Sequence, residues 1–590
     1  MSHPLSPAAS AGQPFTIKSQ HDIITQDLDL CPNSAREQNA PRDSSVDTTA
    51  QPGVQQVEAI AIVWSKSSRA FVYFLIWIVY FTILMQQSVS GSLLPYVASA
   101  YQEHSLTPTI SVISSIFGGV CCLPAAKMID IFGRPQGYAF CLFITTIGLV
   151  MMAATNSVQM YAAALVFWTV GNNTLLYVVN IFIADTTTLH NRALVTWLAS
   201  SPNLFTSWIG GPMAEAFLGG LGWHWYYGIF SIVVLVTCLP LFIILWVNER
   251  KARKRGIITK TTSDRSGVES ILHYCREFDA IGLLLLIAGL AMLLLPFNIY
   301  SQQPLGWKSP VIICLLVFGV VLLVLFALWE KFWASTAFIP FSLLLDRNVV
   351  GSSVLGVILF ISYYCWSSFF TSFLQVVYNL SVSEAGYVSQ IYGVGGTIAG
   401  VASGYLIHRT GFYKSIVLYG ALPIYTLFMG LLIHFRTPST SVGYVIMCQI
   451  FVGFASGAIM AISPLPAMVA ASHQHVAAVV AIVSMFSSIG GAVGLTVASV
   501  IWGNVFPQKL LEYLPAEDQA NFADIYGMLD VQLSYPPGSP TRVAIQHAYS
   551  DGQKIMMIVG SAVWLGGFIS VAFWRNTDLR TVKQVRGYVI

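Results

Sequence analysis

After residue 65 the chain becomes a succession of apolar runs, each roughly 20 residues long and parted from the next by a short polar joint. A run of that length crosses about 30 Å of hydrocarbon as a helix. The runs fall at 71–97, 107–129, 137–154, 158–183, 194–217, 224–246, 279–297, 310–329, 349–377, 384–407, 414–434, 442–466, 476–502 and 555–574, which predicts fourteen spanning helices. The run at 349–377 is long enough to contain a break. Residues 1–65 are rich in Ser, Pro, Gln and Asp and predict a disordered tail. They contain no apolar core of the length a cleavable signal needs, so the first spanning helix is expected to direct insertion.

Composition strengthens this pattern. Only 9% of the 590 residues are charged and 55% are hydrophobic, where an average soluble domain carries roughly 25% charge. Mean hydropathy is +0.68. These values exclude a soluble enzyme, a nucleic-acid binder and a fibrous protein, and leave an all-α membrane protein. Of the nine cysteines, all but Cys31 and Cys275 lie in or beside apolar runs, and their spacing suits neither a zinc site nor a disulfide framework.

The placement of charge sets an expected topology. With an even number of spans, 24 of the 29 Lys and Arg fall on the side of the two termini. The other five, Lys308, Arg436, Lys509, Arg542 and Lys554, fall on the opposite side. The positive-inside bias then puts both termini in the cytosol. It also puts the Asn379-Leu380-Ser381 glycosylation sequon outside. The basic cluster Arg250 to Arg255 reads as a topology anchor near anionic lipid. The long outer loop 503–554 holds Tyr513, Tyr526, Tyr535 and Tyr549 among acids, and its length and aromatic content point to a function.

Two stretches repeat. Ala126-Lys127-Met128-Ile129-Asp130-Ile131-Phe132-Gly133-Arg134-Pro135 follows the second span, and Gly404-Tyr405-Leu406-Ile407-His408-Arg409-Thr410-Gly411-Phe412-Tyr413-Lys414 follows the tenth. In each, a small residue permits helix contact, Gly ends the helix in a tight loop, and flanking polar residues can latch to a neighbouring helix end. Trp208-Ile209-Gly210-Gly211-Pro212 in the fifth span is echoed by Ser488-Ile489-Gly490-Gly491-Ala492 in the thirteenth. Corresponding elements eight spans apart predict two six-helix halves, 66–246 and 349–574, joined by a basic loop at 247–278 and two inserted helices at 279–329, with a tail at 575–590.

The repeated motif resembles the signature loop of the major facilitator superfamily. The first copy lacks that motif's leading Gly and has Pro135 in place of its second Arg; the second has His408 in place of the acid. Longer stretches narrow the resemblance to the fungal siderophore–iron transporters. They are Tyr96-Val97-Ala98-Ser99 with His104-Ser105-Leu106, Asp185 to Arg192 with Ala193-Leu194, Trp223-His224-Trp225, Phe278-Asp279-Ala280-Ile281-Gly282, Ser488 to Gly494 with Ile501-Trp502, and Gln584-Val585-Arg586-Gly587. The resemblance covers residue 60 to the end. It implies a major facilitator fold and proton-coupled transport of ferric siderophore across the plasma membrane or a vacuolar or vesicular one, with Asp130, Arg134, Arg192 and Arg409 as a conformational latch. Span four departs from proton-coupled relatives: Phe167 stands where they carry Arg, four residues before Gly171. The rival reading is a drug–proton antiporter of the related fourteen-span group. That group follows its span-five Gly-Pro with Gly-Gly two residues later, whereas Gly211-Pro212 is followed here by Met213-Ala214-Glu215-Ala216.

Sites of such transporters lie near the midplane between halves, where buried polar residues are candidates by default. Thr169, Asn173, Tyr177 and Asn180 recur at helical spacing on one face of span four. Span one offers Tyr80, Gln86 and Gln87, and span five Asn203 and Trp208, with Pro202 loosening the helix. Span nine offers Tyr363, Tyr364, Trp366, Phe370 and Gln375, and span ten Gln390 and Tyr392. These side chains either line a cavity or join neighbouring helices. Glu215 is the acid placed well inside a span, either a proton carrier or a solvated group; Asp185, at an inner helix end, is a second candidate carrier. A cavity without a central fixed charge suits a bulky neutral ligand. A ferric trihydroxamate is one, since three hydroxamates neutralise and fully coordinate the iron. No protein cofactor, metal cluster, nucleic-acid partner or enzyme chemistry is expected; the expected contacts are siderophore, protons and lipid, with a monomeric chain.

Overall fold

Helices account for every regular element among the described residues, 66–101, 107–254, 267–300, 303, 305–334, 345–471 and 476–580, of the computed structural model. The predicted tail 1–65, part of the basic loop (255–266) and the end of the C-terminal tail (581–590) lie outside them. The first half comprises α1 (Lys66–Ala100), α2 (Thr107–Val120), α3 (Cys122–Ile131), α4 (Arg134–Ala153), α5 (Val158–Thr186), α6 (Leu189–Ala199), α7 (Asn203–Gly219) and α8 (Trp223–Lys254). Then come α9 (Gly267–Glu277), α10 (Ala280–Leu294), α11 (Pro296–Ile299) and α12 (Pro310–Phe332). The second half runs through α13 (Arg347–Ser367), α14 (Phe370–Tyr378), α15 (Val382–Thr410), α16 (Leu422–Phe435), α17 (Val442–Ile462), α18 (Pro464–Ala470) and α19 (Val476–Tyr513). It ends with α20 (Phe522–Gly527), α21 (Leu529–Ser534), α22 (Pro540–Ala562) and α23 (Trp564–Ala572).

Twelve stretches of the described residues are long and apolar enough to cross a membrane, where the apolar pattern predicts fourteen. The fifth and tenth predicted spans make the difference. The fifth is split into α6 and α7 around Ser200-Ser201-Pro202. The tenth, α15, is 29 residues long but rich in Gly and Ser. The two pack against each other along a seam between the halves, so their polar and small residues face protein rather than lipid.

The second seam joins α2 to α19. The paired glycines make both seams alike. A Cβ on Gly210 would collide with Ser88 of α1 in its own half, and one on Gly490 with the backbone of Val357 of α13 in its own half. Their neighbours look across: Gly211 meets the backbone of Ser383 on α15, and Gly491 meets Ser115 on α2 as well as the Tyr364 ring. The motif loops match too. Gly133 and Gly411 both hold positive φ, 105° and 77°, a backbone that favours glycine. These loops lie on one face of the molecule, the motif face. The opposite face carries the segment between α19 and α22, and is called the loop face.

The inserted pair α10 and α12 packs tightly through Gly289 against Leu323 and Gly319 against Leu293. At the motif face Lys127 of the first half donates to the Glu277 carbonyl at 2.9 Å. Near the loop face Asn298 of α11 donates to Thr496 Oγ1 of α19 at 3.3 Å.

The predicted loop 503–554 is largely helical: α19 continues to Tyr513 and α22 begins at Pro540, leaving 514–539 between them. This segment is folded against both halves: Tyr526 stacks on Phe506 at 6.0 Å between ring centres, and α21 packs on α1 and on α14. Trp502 stacks on Phe369 and Phe506, at 4.1 and 4.2 Å between ring centres, and the Leu529 N–H donates to Ser99 Oγ of α1 at 2.6 Å. The predicted break in span nine falls between α13 and α14. The far end of α14 is held by Arg542, which donates to the carbonyls of Gln375 and Val376, both at 3.1 Å.

Candidate functional site: two chambers between the halves

Two cavities lie between the halves, one towards each face. The motif-side chamber, about 450 Å³, is lined by Tyr80, Asn173, Tyr177, Asn180, Arg192 and Trp197 of the first half, and by Gly356, Phe360, Met460, Ser463, Ser487 and Ser488 of the second, among others. The loop-side chamber, about 320 Å³, is lined by Ser92, Pro95 and Ser111 together with Tyr363, Tyr364, Trp366, Phe370, Thr371, Gln390 and Tyr392, among others. Both volumes fall in the range of small-molecule sites, about 300–1,000 Å³.

Helical geometry explains how one sequence face serves two chambers. Along α13, Gly356 and Phe360 open to the motif side, whereas Tyr363, Tyr364 and Ser367 open to the loop side. Eleven residues separate Gly356 from Ser367, or about 16 Å of helix. The layer between the chambers is built from the Tyr364 ring against Gly491 and the Ser115 hydroxyl, which donates to the Ser488 carbonyl at 3.0 Å.

The linings are amides, hydroxyls and rings. Tyr80 donates to Asn180 Oδ1 at 2.8 Å. Tyr177 donates to the Ala477 carbonyl on α19 at 2.6 Å, a bond between the halves. In the loop-side chamber Tyr363, Trp366 and Tyr392 meet with ring centres 5.1–5.3 Å apart. Arg192 is the charged residue among those lining either chamber. Its guanidinium donates to the Ala184 carbonyl at 2.8 Å and reaches Met468 Sδ at 3.4 Å.

The structure thus divides the residues named from the sequence. Tyr80, Asn173, Tyr177 and Asn180 meet in one chamber, and Tyr363, Tyr364, Trp366, Phe370, Gln390 and Tyr392 in the other. Several stand elsewhere. Thr169 packs against Gly118 between α2 and α5. Gln86 and Gln87 are absent from both linings; the Gln86 carbonyl accepts from Tyr226 inside the first half. Asn203 lies in the seam and donates to Thr397 Oγ1 at 3.0 Å. Trp208, 57% exposed, lies tilted against Tyr387, with ring centres 5.5 Å apart, over an apolar groove on the outside of the seam. Gln375 is buried and accepts from the Tyr96 hydroxyl, a further tie between halves at the loop face.

The charged candidates are rearranged as well. Asp185 pairs with Arg134, at 3.1 Å to Nη2 and 3.2 Å to Nε, while Arg134 Nη1 donates to the Ile129 carbonyl at 2.9 Å. The ion pair across the motif loop is therefore Arg134 with Asp185, and Arg192 binds the carbonyl beside that acid. Asp130 sits on α3, and its side chain lies outside the described ones. Arg409 donates to Tyr405 of its own helix at 3.0 Å. Glu215 is exposed near the loop face and accepts from Ser383 of the other half. Tyr535 and Tyr549 hold the 514–539 segment together, donating to Asp518 at 3.4 Å and to Gln532 at 2.7 Å. Asn379 is exposed with φ 55°, and its Oδ1 accepts from Arg542 at 3.0 Å.

Sequence reasoning passed over Tyr96, Ser88, Ser463 and Met460. Ser463-Pro464, where α17 gives way to α18, carried a readable signal, because Pro ends a helix. Ser88, which accepts from Gln390 at 3.1 Å across the halves, carried none.

Two helical halves, matched loops and cavities between them define a membrane transporter, and comparison with known proteins agrees. The profile of the Major Facilitator Superfamily matches residues 76–495, and the chain belongs to that superfamily. It is 46% identical to "MFS siderochrome iron transporter 1" of Ajellomyces capsulatus over 94% of each chain. It is 38% identical to "Siderophore iron transporter mirB" of Emericella nidulans, over 91% of this chain and 89% of that one. It is 41% identical to "MFS siderochrome iron transporter D" of Aspergillus fumigatus, over 91% and 90%. Within the superfamily it is a member of the fungal siderophore–iron transporter family. Among solved structures, the human organic anion transporter MFSD10 (TETRAN) has the same fold, with a TM-score of 0.51 at 12% identity over 86% of this chain and all of that one. A bacterial homologue of the lysosomal transporter Spinster, inward-facing and unoccupied, also scores 0.51, at 14% identity over 87% and 98%.

Proposed function

We propose that the protein imports ferric hydroxamate siderophores, driven by the proton gradient, by alternating exposure of a site between the halves. The observation that carries this reading is the pair of chambers on opposite sides of the Tyr364–Gly491 layer, lined by polar and aromatic groups that are neutral throughout on the loop side and include one charge, Arg192, on the motif side. Such linings suit a neutral, fully coordinated ferric trihydroxamate better than a free ion or a polyanion, and the relatives' names supply the substrate class. In this reading fourteen helices span the plasma membrane, the motif face is cytosolic, and a single chain is the working unit. Glu215, bonded to the other half through Ser383, is the proposed proton carrier.

The test is uptake of ⁵⁵Fe, offered as a panel of hydroxamate siderophores, by cells lacking their own transporters, with and without a protonophore. Uptake of at least one siderophore that collapses with the protonophore is expected. Protein that reaches the surface and admits none would overturn the substrate, and uptake indifferent to the protonophore would overturn the coupling. Glu215→Gln is expected to abolish accumulation against a gradient while leaving downhill exchange intact; unchanged accumulation removes Glu215 from the proton path.

A further inference from the structure

The span 347–378 breaks after Ser367, and the residue at the break, Phe369, holds φ 59°. A bulky side chain in that region is strained and persists only where its surroundings enforce it. Part of the enforcement comes from Arg436, the residue that follows α16 at the loop face. Arg436 is 1% exposed. Its Nη1 donates at 2.8 Å to the carbonyl of Trp366, one of those left at a helix C-terminus. The guanidinium lies 4.2 Å from the ring centre of Phe370 and 5.0 Å from that of Phe373. Nη1 also approaches Met557 Sδ at 3.3 Å.

This is an unusual place for a cation. Among the described residues no carboxylate forms an ion pair with Arg436, and its Nε and Nη2 have no hydrogen-bond partner. A buried charge without a counter-ion is costly. What compensates it here is one carbonyl and two aromatic faces, an arrangement suited to the flat guanidinium and not to an ammonium. A mere topology anchor would be solvated, as the charge count from the sequence alone suggests.

Arg436 does not line the loop-side chamber, but Trp366 and Phe370 do, with ring centres 5.7 Å apart and edge to face. The guanidinium stands directly behind that wall. We propose that Arg436 is a positioning residue for substrate: it fixes the break between α13 and α14 and thereby sets the wall of Trp366 and Phe370 against which an iron-loaded hydroxamate siderophore packs. The role rests on the proposed function only in naming the ligand; the setting of the wall does not depend on it.

The experiment separates the two. Cys31, Cys275 and Cys314, the part-exposed Cys121, and Cys122, which lines the motif-side chamber, are changed to Ser; Thr371, which lines the chamber next to Phe370, is changed to Cys, and the purified full chain is reacted with a maleimide. Arg436→Met and Phe373→Leu are each expected to change the labelling rate about tenfold, the scale of a lost desolvated cation–π contact, with Arg436→Lys between them and the parent. An unchanged rate in folded Arg436→Met protein overturns the proposal; should that variant not fold, an unchanged rate in Phe373→Leu does the same. In cells, KM for the ⁵⁵Fe-loaded siderophore is expected to rise about tenfold with Vmax within about twofold. A loss confined to Vmax overturns the positioning role. A labelling shift in a protein whose parent imports no siderophore supports the wall-setting role and overturns the ligand named here.

Discussion

Asn203 and Thr397 join the two halves at the middle of a seam, the amide of one donating to the hydroxyl of the other at 3.0 Å. Thr397 in turn donates to the Gly393 carbonyl of its own helix at 2.9 Å. Asn203→Ala should therefore remove one bond without orphaning its partner, lowering stability by about 1 kcal/mol. A thermal melt in detergent measures this. Transport KM should stay unchanged; a raised KM would put Asn203 in the binding site.

Asn173 has the opposite expectation. It lines the motif-side chamber, and a site built to hydrogen-bond its ligand loses much when the donor goes. Asn173→Leu should reduce uptake at least tenfold with surface abundance intact, about 1.4 kcal/mol or more of lost binding. Surface biotinylation beside ⁵⁵Fe uptake checks it, and normal uptake would remove the span-four face from the substrate path.

The Arg134–Asp185 pair is buried at the motif face, with side chains 2% and 10% exposed. Asp185→Leu or Arg134→Leu alone should cost about 3–5 kcal/mol, since each breaks a buried ion pair by removing one partner. Replacing both should cost less than the sum of the two single changes. Melting temperatures of the three variants decide the matter, and simple additivity would argue against a coupled pair.

His190 stacks on His408 across the halves, with ring centres 5.4 Å apart, and His408 is hydrogen-bonded to Asn191 at 2.5 Å. Burial, and then the neighbouring His408, hold His190 below its ordinary value of 6.5. The folded state thus binds a proton less readily than the unfolded one. The sign follows: stability is complete above pH 6.5 and is lost as the pH falls through the lowered folded value. His190→Phe keeps the stacking and should flatten the fall in melting temperature between pH 7 and pH 5. An identical fall in the variant would place the acid sensitivity elsewhere.

Much of the fold is legible in the sequence because lipid demands long apolar helices and because the halves repeat. The glycine echo at 210–211 and 490–491 even identifies which residue of each pair looks across a seam once one copy is placed. The site is less legible. Helical spacing gathers Asn173, Tyr177 and Asn180 onto one face, and all three line the motif-side chamber, because they sit on one continuous helix. It does not reveal that Gln375 and Asn203 face a partner helix, since an amide joining two halves and an amide awaiting a ligand look the same in sequence. Nor does it pair Asp185 with Arg134. A separation of 51 positions carries no local signal, and nearby Arg192 is the more obvious partner.

The inserted helices are tied to opposite halves at opposite faces: Lys127 holds the Glu277 carbonyl at the end of α9, which leads into them, and Asn298 of α11 holds Thr496. They form a strut laid diagonally across the joint. If the halves tilt against each other, such a strut must slip at one of its ends, and the neutral amide–hydroxyl contact is weaker than the charged one. The end near α11 is where the strut would let go first, so under the proposed alternating mechanism the inserted pair would resist the tilt rather than ride passively in the lipid.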